Sequence, residues 1–391
     1  MVIGLVAALP AIQLVPLPPA VWQSLSGREF IVESLALANI DGAWHPLSIA
    51  PHRTFAALVA LLVPLALLAI AAKGTGAMHR NLMAVIIGGG LATAVLGTLQ
   101  MAAPGSFRFY SASHDGWITG LFANRNAAAD FLVIALGGLV AFPALMNRTR
   151  LRGLSLVAML GIAAMLVVAT ILTGSRTGIG LLVVPLALAI WLWAPGRGRF
   201  AKWRSLALVP IALVIVGALL ATAGSGPLAR VATRFRATED FRSELWIDSW
   251  FALEQSWPFG VGMGNFVPAF LPAERLEAVD PTMPNRAHND FLELLVEAGG
   301  AGIVVLIAVA AILLGRVWIG IRNTDKGSAE RAALGFAVAT LTVVGLHSLV
   351  DYPLRNMALA SIAGVAAGIV LAYPIHAIRP AAGGKPAREG I

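Results

Sequence analysis

The sequence predicts an all-α polytopic membrane protein, and three observations carry that prediction. Of its 391 residues, 58% are hydrophobic and only 12% are charged, about half the charged share of a soluble domain. Mean hydropathy is +0.81. Apolar runs of about twenty residues, each long enough to cross a bilayer as a helix, recur along the chain.

Ten spans are expected: 1–17, 54–72, 81–103, 127–146, 154–173, 177–194, 205–223, 299–319, 332–350 and 357–373. Pro64, Pro185 and Pro210 fall inside spans, where neighbouring helices can absorb a kink. The first run lacks a basic flank and an A-x-A-like cleavage site, so no cleavable signal peptide is expected. Together the spans form one integral membrane domain, with a tail over 374–391 whose Gly/Pro-rich end is expected to be disordered.

Charge placement predicts orientation. Arg and Lys concentrate in alternate connections, as in Arg148, Arg150 and Arg152, or Arg316, Arg322, Lys326 and Arg331. The positive-inside rule puts those connections and both termini in the cytoplasm. Segments 18–53, 104–125, 174–176, 224–298 and 351–356 then face outward. A net charge of +8 therefore reflects topology and not nucleic-acid binding. With no Cys in the chain, disulfides, thiolate metal sites and a Cys nucleophile are excluded.

The 224–298 loop is the long polar segment, expected to carry short amphipathic helices. Leu245, Trp246, Trp250 and Leu253 recur at helical steps between Asp240 and Gln255, predicting a helix lying along the membrane interface. Trp257-Pro258 ends it, and Gly260, Gly262 and Gly264 permit tight turns. No strand precedes these glycines, so they are not a dinucleotide fingerprint. Asn289 and Asp290 are good N-caps, and Glu293 three beyond Asp290 fits a capping box. A short helix should run from there toward Gly299, with His288 just ahead of its N-terminus, where an anion is favoured. In the 18–53 loop, Trp44-His45-Pro46-Leu47-Ser48 reads as an interfacial anchor.

Arg176, in the turn Thr173-Gly174-Ser175-Arg176, sits at a helix end where a charge is expensive unless it meets a partner or ligand. Guanidinium suits bidentate phosphate contact, so Arg176 and Arg242 could face an anion while His288 handles a proton. Taken singly, each has an ordinary explanation. Arg176 can snorkel to lipid head groups, Arg242 can lie on a solvated helix face beside Glu244 or Asp248, and His288 can be a loop or capping residue. Arg125, Asn124, His114 and Asp115 could contact sugar or phosphate, or simply bond one another. His347 and Asp351, with Arg355 close by, read as a local ion pair or a helix-end anchor.

The motifs together resemble the O-antigen ligase family, which includes O-antigen and exopolysaccharide polymerases and some protein O-oligosaccharyltransferases. The matching stretches are Gly120 through Asn126, Thr173 through Arg176, Arg242 with Leu245-Trp246, Pro258 through Phe266, and His288-Asn289 followed by Gly299-Gly300-Ala301-Gly302. The resemblance implies a GT-C-like glycosyltransferase architecture and inverting transfer at the outer face of the bacterial inner membrane. The donor would be a glycan on undecaprenyl pyrophosphate, with neither metal nor other cofactor required. By the same resemblance Arg176 and Arg242 would bind the pyrophosphate and His288 would orient or deprotonate the acceptor hydroxyl. Arg125, Asn124, Asn289, Gly262 and Gly264 would bind substrate or shape the loop. The acceptor would be lipid A–core in a ligase or a growing glycan in a polymerase. An anion transporter or lipid flippase, its arginines binding cargo, is the reading from another class.

Overall fold

The structure, a computed structural model, describes residues 1–372 except 104, 108, 112, 113, 115, 147–155, 194–225, 237–241 and 280–282. The expected span 205–223, Asp115 and the tail after 373 lie outside the described residues. The chain is mostly helical and reads as an all-α membrane protein. Among the described residues, six helices are long and apolar enough to cross a membrane: Pro51–Lys73, Gly76–Ala102, Arg125–Leu145, Arg176–Trp193, Asp290–Asn323 and Ala329–His347. Val2–Gln13, Leu156–Leu172 and Met357–Leu371 are shorter apolar helices. Each of the other nine expected spans thus coincides with a helical stretch.

In chain order the helices are α1 (Val2–Gln13), α2 (Pro19–Trp22), α3 (Glu29–Leu37), α4 (Pro51–Ala60), α5 (Leu62–Lys73), α6 (Gly76–Ala102), α7 (Arg125–Leu145), α8 (Leu156–Leu172), α9 (Arg176–Gly180) and α10 (Val183–Trp193). There follow α11 (Pro227–Arg236), α12 (Arg242–Ser256), α13 (Phe266–Phe270), α14 (Asp290–Asn323), α15 (Ala329–His347) and α16 (Met357–Leu371). Among the described residues, a small sheet pairs β1 (Pro16–Leu17) antiparallel to β2 (His45–Pro46).

Two breaks follow from proline. A proline cannot donate to the carbonyl four residues back and its ring crowds that carbonyl. Pro64 withholds this bond from Ala60, where α4 ends, and Pro185 withholds it from Leu181, just past the end of α9.

The centre of the bundle is α7, buried along almost its whole length and packed against α6, α8, α10 and α15. A helix apolar all round belongs in such a position. α16 lies on α5 with the backbones nearly touching, since a Cβ at Gly364 or Gly368 would stand 2.3 or 2.4 Å from the carbonyl oxygens of Pro64 and Leu68. Small residues at that spacing allow close helix approach.

The 18–53 segment folds back onto the glycine run. Arg28, buried, donates to the carbonyls of Leu47 (2.6 Å) and Gly260 (2.9 Å). Asn265 donates to Ser48 Oγ at 2.9 Å, and Gln13 bridges the Glu297 carbonyl and the Met263 amide. Trp44 is exposed.

The helix α12 forms, and the expected Trp/Leu stripe divides, Leu245 and Leu253 being buried and Trp250 exposed. Leu245, Asp248, Ser249, Ala252, Leu253 and Ser256 are buried, whereas Ile247, Trp250 and Phe251 are exposed. The polar members are tolerable inside because Asp248 pairs with Arg275, and Ser249 and Ser256 bond carbonyls of their own helix.

Candidate functional site

The arginines come first. Asn124 caps α7, its side chain accepting from the Asn126 amide at 2.7 Å, which sets Arg125 at the first helical position. The Arg125 guanidinium lies over Trp117 at 5.0 Å from the ring centroid, and Arg230 of α11 approaches the same ring at 5.7 Å. Trp117 in turn rests on Gly174, where a Cβ would come within 2.2 Å of the indole and φ is +64°. The turn before Arg176 therefore needs glycine twice over, for its left-handed backbone and for the ring against it. Ser175 then caps α9, accepting from the Gly178 amide, and Arg176 begins the helix. Arg125 stands within electrostatic reach of Arg234, Arg242 and Arg176, with Asp351 as the nearby anion. Among the described residues, the charges acting on Arg125 thus include three guanidinium groups and the Asp351 carboxylate.

Beside this cluster stands the histidine. His288 has φ +49°, uncommon for a residue with a Cβ, and its ring meets Tyr352 edge-on at 4.8 Å. Nδ1 lies 3.1 Å from Asp351 Oδ1. A carboxylate only accepts, so Nδ1 carries a proton and Nε2 is the basic nitrogen of the neutral ring. Asp351 also accepts from Asn126 Nδ2 at 2.6 Å, which ties His288 to the residue next to Arg125. Burial alone pushes the Asp351 carboxyl up; the hydrogen bond from His288, the charges of His347 and His288, and Asn126 outweigh it and hold the group below the usual carboxylate range.

A further layer lies behind Asp351. His347 Nε2 is 3.9 Å from Asp351 Oδ2, and its Nδ1 hydrogen-bonds Asp130. His347 also lies within electrostatic reach of Arg242. A cavity of about 30 Å³ among Asn124, Asp130, Asp351 and Tyr352 has room for a water.

The segment bearing His288 is fixed from its other side. Asn289 caps α14, accepting from the amides of Phe291 and Leu292. The expected Asp290–Glu293 capping box does not form, because both carboxylates are engaged elsewhere. Asp290 Oδ2 accepts from Ser348 Oγ and the Leu354 amide, and Glu293 takes Arg286 and the Ala287 amide. Arg355 reaches Glu297 at 2.7 Å and Glu293 at 3.3 Å. At Gly299 (φ 54°, ψ −142°) the helix breaks, and a Cβ there would lie 2.1 Å from the Pro258 carbonyl oxygen.

The structure brings Arg125, Arg176, Arg242 and, through Asp351, His288 into one neighbourhood. Asn124 and Asn289 are helix caps, and Asn124 also donates to the Tyr352 hydroxyl at 3.3 Å. Gly262 and Gly264 pack against Ser48 and the Arg53 carbonyl, at 2.8 and 2.9 Å from where a Cβ would stand. His114 is exposed and within electrostatic reach of Arg125.

Sequence reasoning passed over Arg230, Arg234 and Asp130; it read His347 and Asp351 as a local pair, which they are at 3.9 Å, but Asp351 also holds His288 and His347 also holds Asp130. The i,i+4 spacing of Arg230 and Arg234 was the available signal, since like charges so placed destabilise a helix unless something anionic answers them. Among the described residues no group of three or more His, Asp or Glu side chains is arranged to hold a metal ion.

No curated protein matches the chain. Residues 161–307 match the family described as O-Antigen ligase, a stretch that runs from α8 into α14 and contains Arg176, Arg242 and His288. The match supports an O-antigen ligase assignment for that stretch of the chain, which carries the candidate site residues.

Proposed function

We propose that the protein moves a glycan from a lipid-linked pyrophosphate, undecaprenyl pyrophosphate in a bacterial inner membrane, to an acceptor hydroxyl at the periplasmic face, as an O-antigen ligase acting on lipid A–core. The observation that carries this reading is the company of Arg125. Three further guanidinium groups stand within electrostatic reach of it, beside an Asp351-held imidazole.

The acceptor oxygen attacks the anomeric carbon from the face opposite the pyrophosphate while its proton passes to His288 Nε2. The bond from carbon to the phosphate oxygen breaks, and the diphosphate leaves with its electron pair. Arg125, Arg176, Arg234 and Arg242 stabilise the charge that develops on it, in a site partly screened from water. Asp351 offsets the imidazolium that forms, and the proton then leaves to solvent. The arginines supply the positive charge the leaving group needs.

The orientation follows from the basic connections, which the positive-inside rule places in the cytoplasm. In the GT-C-like arrangement proposed here, the site lies at helix ends and in the outer loop and not at mid-span, which favours chemistry over carriage. The test uses purified protein with a lipid-pyrophosphate-linked oligosaccharide and lipid A–core, without nucleotide or ion gradient. Glycan transfer with release of undecaprenyl pyrophosphate is expected. Elongation of the donor's own glycan would assign a polymerase instead, and gradient-driven uptake without transfer would overturn the reading.

A further inference from the structure

A second feature lies on the other side of the segment that carries His288. A groove of about 500 Å³ is bounded by α1, α4, α5, α14 and α16. Its walls are apolar along most of their length, with Ala57, Ala60, Pro64, Leu294, Leu306 and Met357 among them. Of its charged lining residues, Arg286, Asp290 and Arg355 are joined around Glu293, and Arg53 lines it from the first turn of α4.

These charges are not equivalent. Arg355 is enclosed by Asp290, Glu293 and Glu297. Arg286 shares Glu293 and stays one-third exposed. Arg53 is exposed. Asp290 is buried, yet its Oδ1 accepts no hydrogen bond among the described residues.

The groove has the dimensions of one lipid leaflet. From Arg53 to Pro64 is eleven residues, about 16 Å along a helix. The hydrocarbon of one leaflet is about 15 Å deep. A slot of that length, apolar below and with the exposed Arg53 and one-third-exposed Arg286 guanidinium groups at its head, complements a chain-bearing molecule with a phosphate on its head group. Arg125, Arg176, Arg234 and Arg242 are not part of its lining, so the guanidinium groups that line it are its own. Arg286 and Asp290 flank His288 in the chain, so a head group held at them lies on the segment that presents the imidazole.

We propose that this groove is the acceptor site: it seats the hydrocarbon chain of a phosphate-bearing lipid acceptor, with Arg53 and Arg286 on the head group and Asp290 Oδ1 accepting from a head-group hydroxyl. The proposal rests on the transferase reading above. Two substrates then approach His288 from opposite sides of the 286–291 segment, and the acceptor needs no share of the arginine cluster.

The test uses the full chain in nanodiscs of zwitterionic lipid and a lipid A probe carrying a photoreactive diazirine on an acyl chain. Labelling is mapped to peptides, and binding of undecaprenyl pyrophosphate is measured separately. Labelled peptides should come from α4–α5 and α14. Ala60→Trp, which fills the groove from an exposed position, should weaken labelling and raise the acceptor KM at least about tenfold. Arg53→Gln, on an exposed side chain, should do so about threefold to tenfold. Both should leave undecaprenyl pyrophosphate binding unchanged, and Arg176→Ala should show the converse pattern.

Labelling spread over other helices, insensitivity to both groove variants, or loss of undecaprenyl pyrophosphate binding in Ala60→Trp would overturn the proposal. Equal labelling by a phosphate-free analogue would overturn it too. Labelling as expected with no transfer by the wild type would instead overturn the transferase reading on which it rests, and with it the name of acceptor.

Discussion

Replacing Asp351 by Asn isolates what the carboxylate does, because the shape is kept and the charge is lost. Asp351 accepts from His288 Nδ1 at 3.1 Å and from Asn126 Nδ2 at 2.6 Å. An asparagine has one acceptor oxygen for these two donors. If it keeps Asn126, its amide NH₂ faces Nδ1, and the imidazole must turn or exchange tautomer. A hydrogen bond to a charged group is worth about 1.5–3 kcal/mol, so kcat should fall roughly 10- to 150-fold. Donor affinity should not fall, because the removed charge is an anion within reach of Arg125.

Single-turnover transfer with saturating donor gives the first quantity, and equilibrium binding of undecaprenyl pyrophosphate gives the second. A kcat within about twofold of wild type, or a loss confined to donor binding, would refute the reasoning. The same variant has a pH signature. The Asp351 carboxyl is held below its ordinary value of about 4. Its contribution to stability is therefore present above that value and lost as pH falls through the lower folded-state value. Thermal melts of the wild type should weaken below about pH 4, and Asp351→Asn should flatten that limb while leaving the neutral range parallel.

Further outcomes follow from the same contacts. Arg176→Ala and Arg242→Ala should each lower kcat/KM by about 1.5–3 kcal/mol, roughly 10- to 150-fold. The corresponding Lys variants should recover only part of this, because Lys lacks the bidentate fork; full activity in either Ala variant counts against a phosphate role. Arg355→Gln leaves Glu293 and Glu297, both buried, short of a cation, and should cost about 3–5 kcal/mol in stability. Adding Glu297→Gln should restore part of that in thermal melts. Gly299→Ala sets a Cβ 2.1 Å from the Pro258 oxygen on backbone that side chains rarely adopt. It should cost about 3 kcal/mol or more, read as loss of monodisperse protein after solubilisation.

What the sequence disclosed, and what it withheld, divides by range. Spans were legible because hydrocarbon demands a run of apolar residues, and such a run is a local property. The helix ahead of Gly299 was legible for the same reason, since Asn289 caps it through bonds two and three residues away. The local pair of Asp351 with His347 was legible, but its other partners, His288 and Asn126, were not, because they lie 63 and 225 residues off. His347 pairs with Asp130 across 217 residues, and no periodicity reports that. The burial of Asp248 on α12 was not legible, because the Arg275 that neutralises it lies 27 residues on. For the glycine run, tight turns could be anticipated, but not that Gly260 would lie against the backbone of Glu297 and Ala298.

The central claim is that one diphosphate meets the arginines gathered about Arg125 while His288 serves the incoming hydroxyl. A structure of the protein with undecaprenyl pyrophosphate bound tests this most directly. The account predicts diphosphate density bridged by Arg125, Arg176, Arg234 and Arg242 with the His288 ring beside it. Diphosphate seated instead against Arg53 and Arg286, with the cluster about Arg125 making no contact, would contradict it.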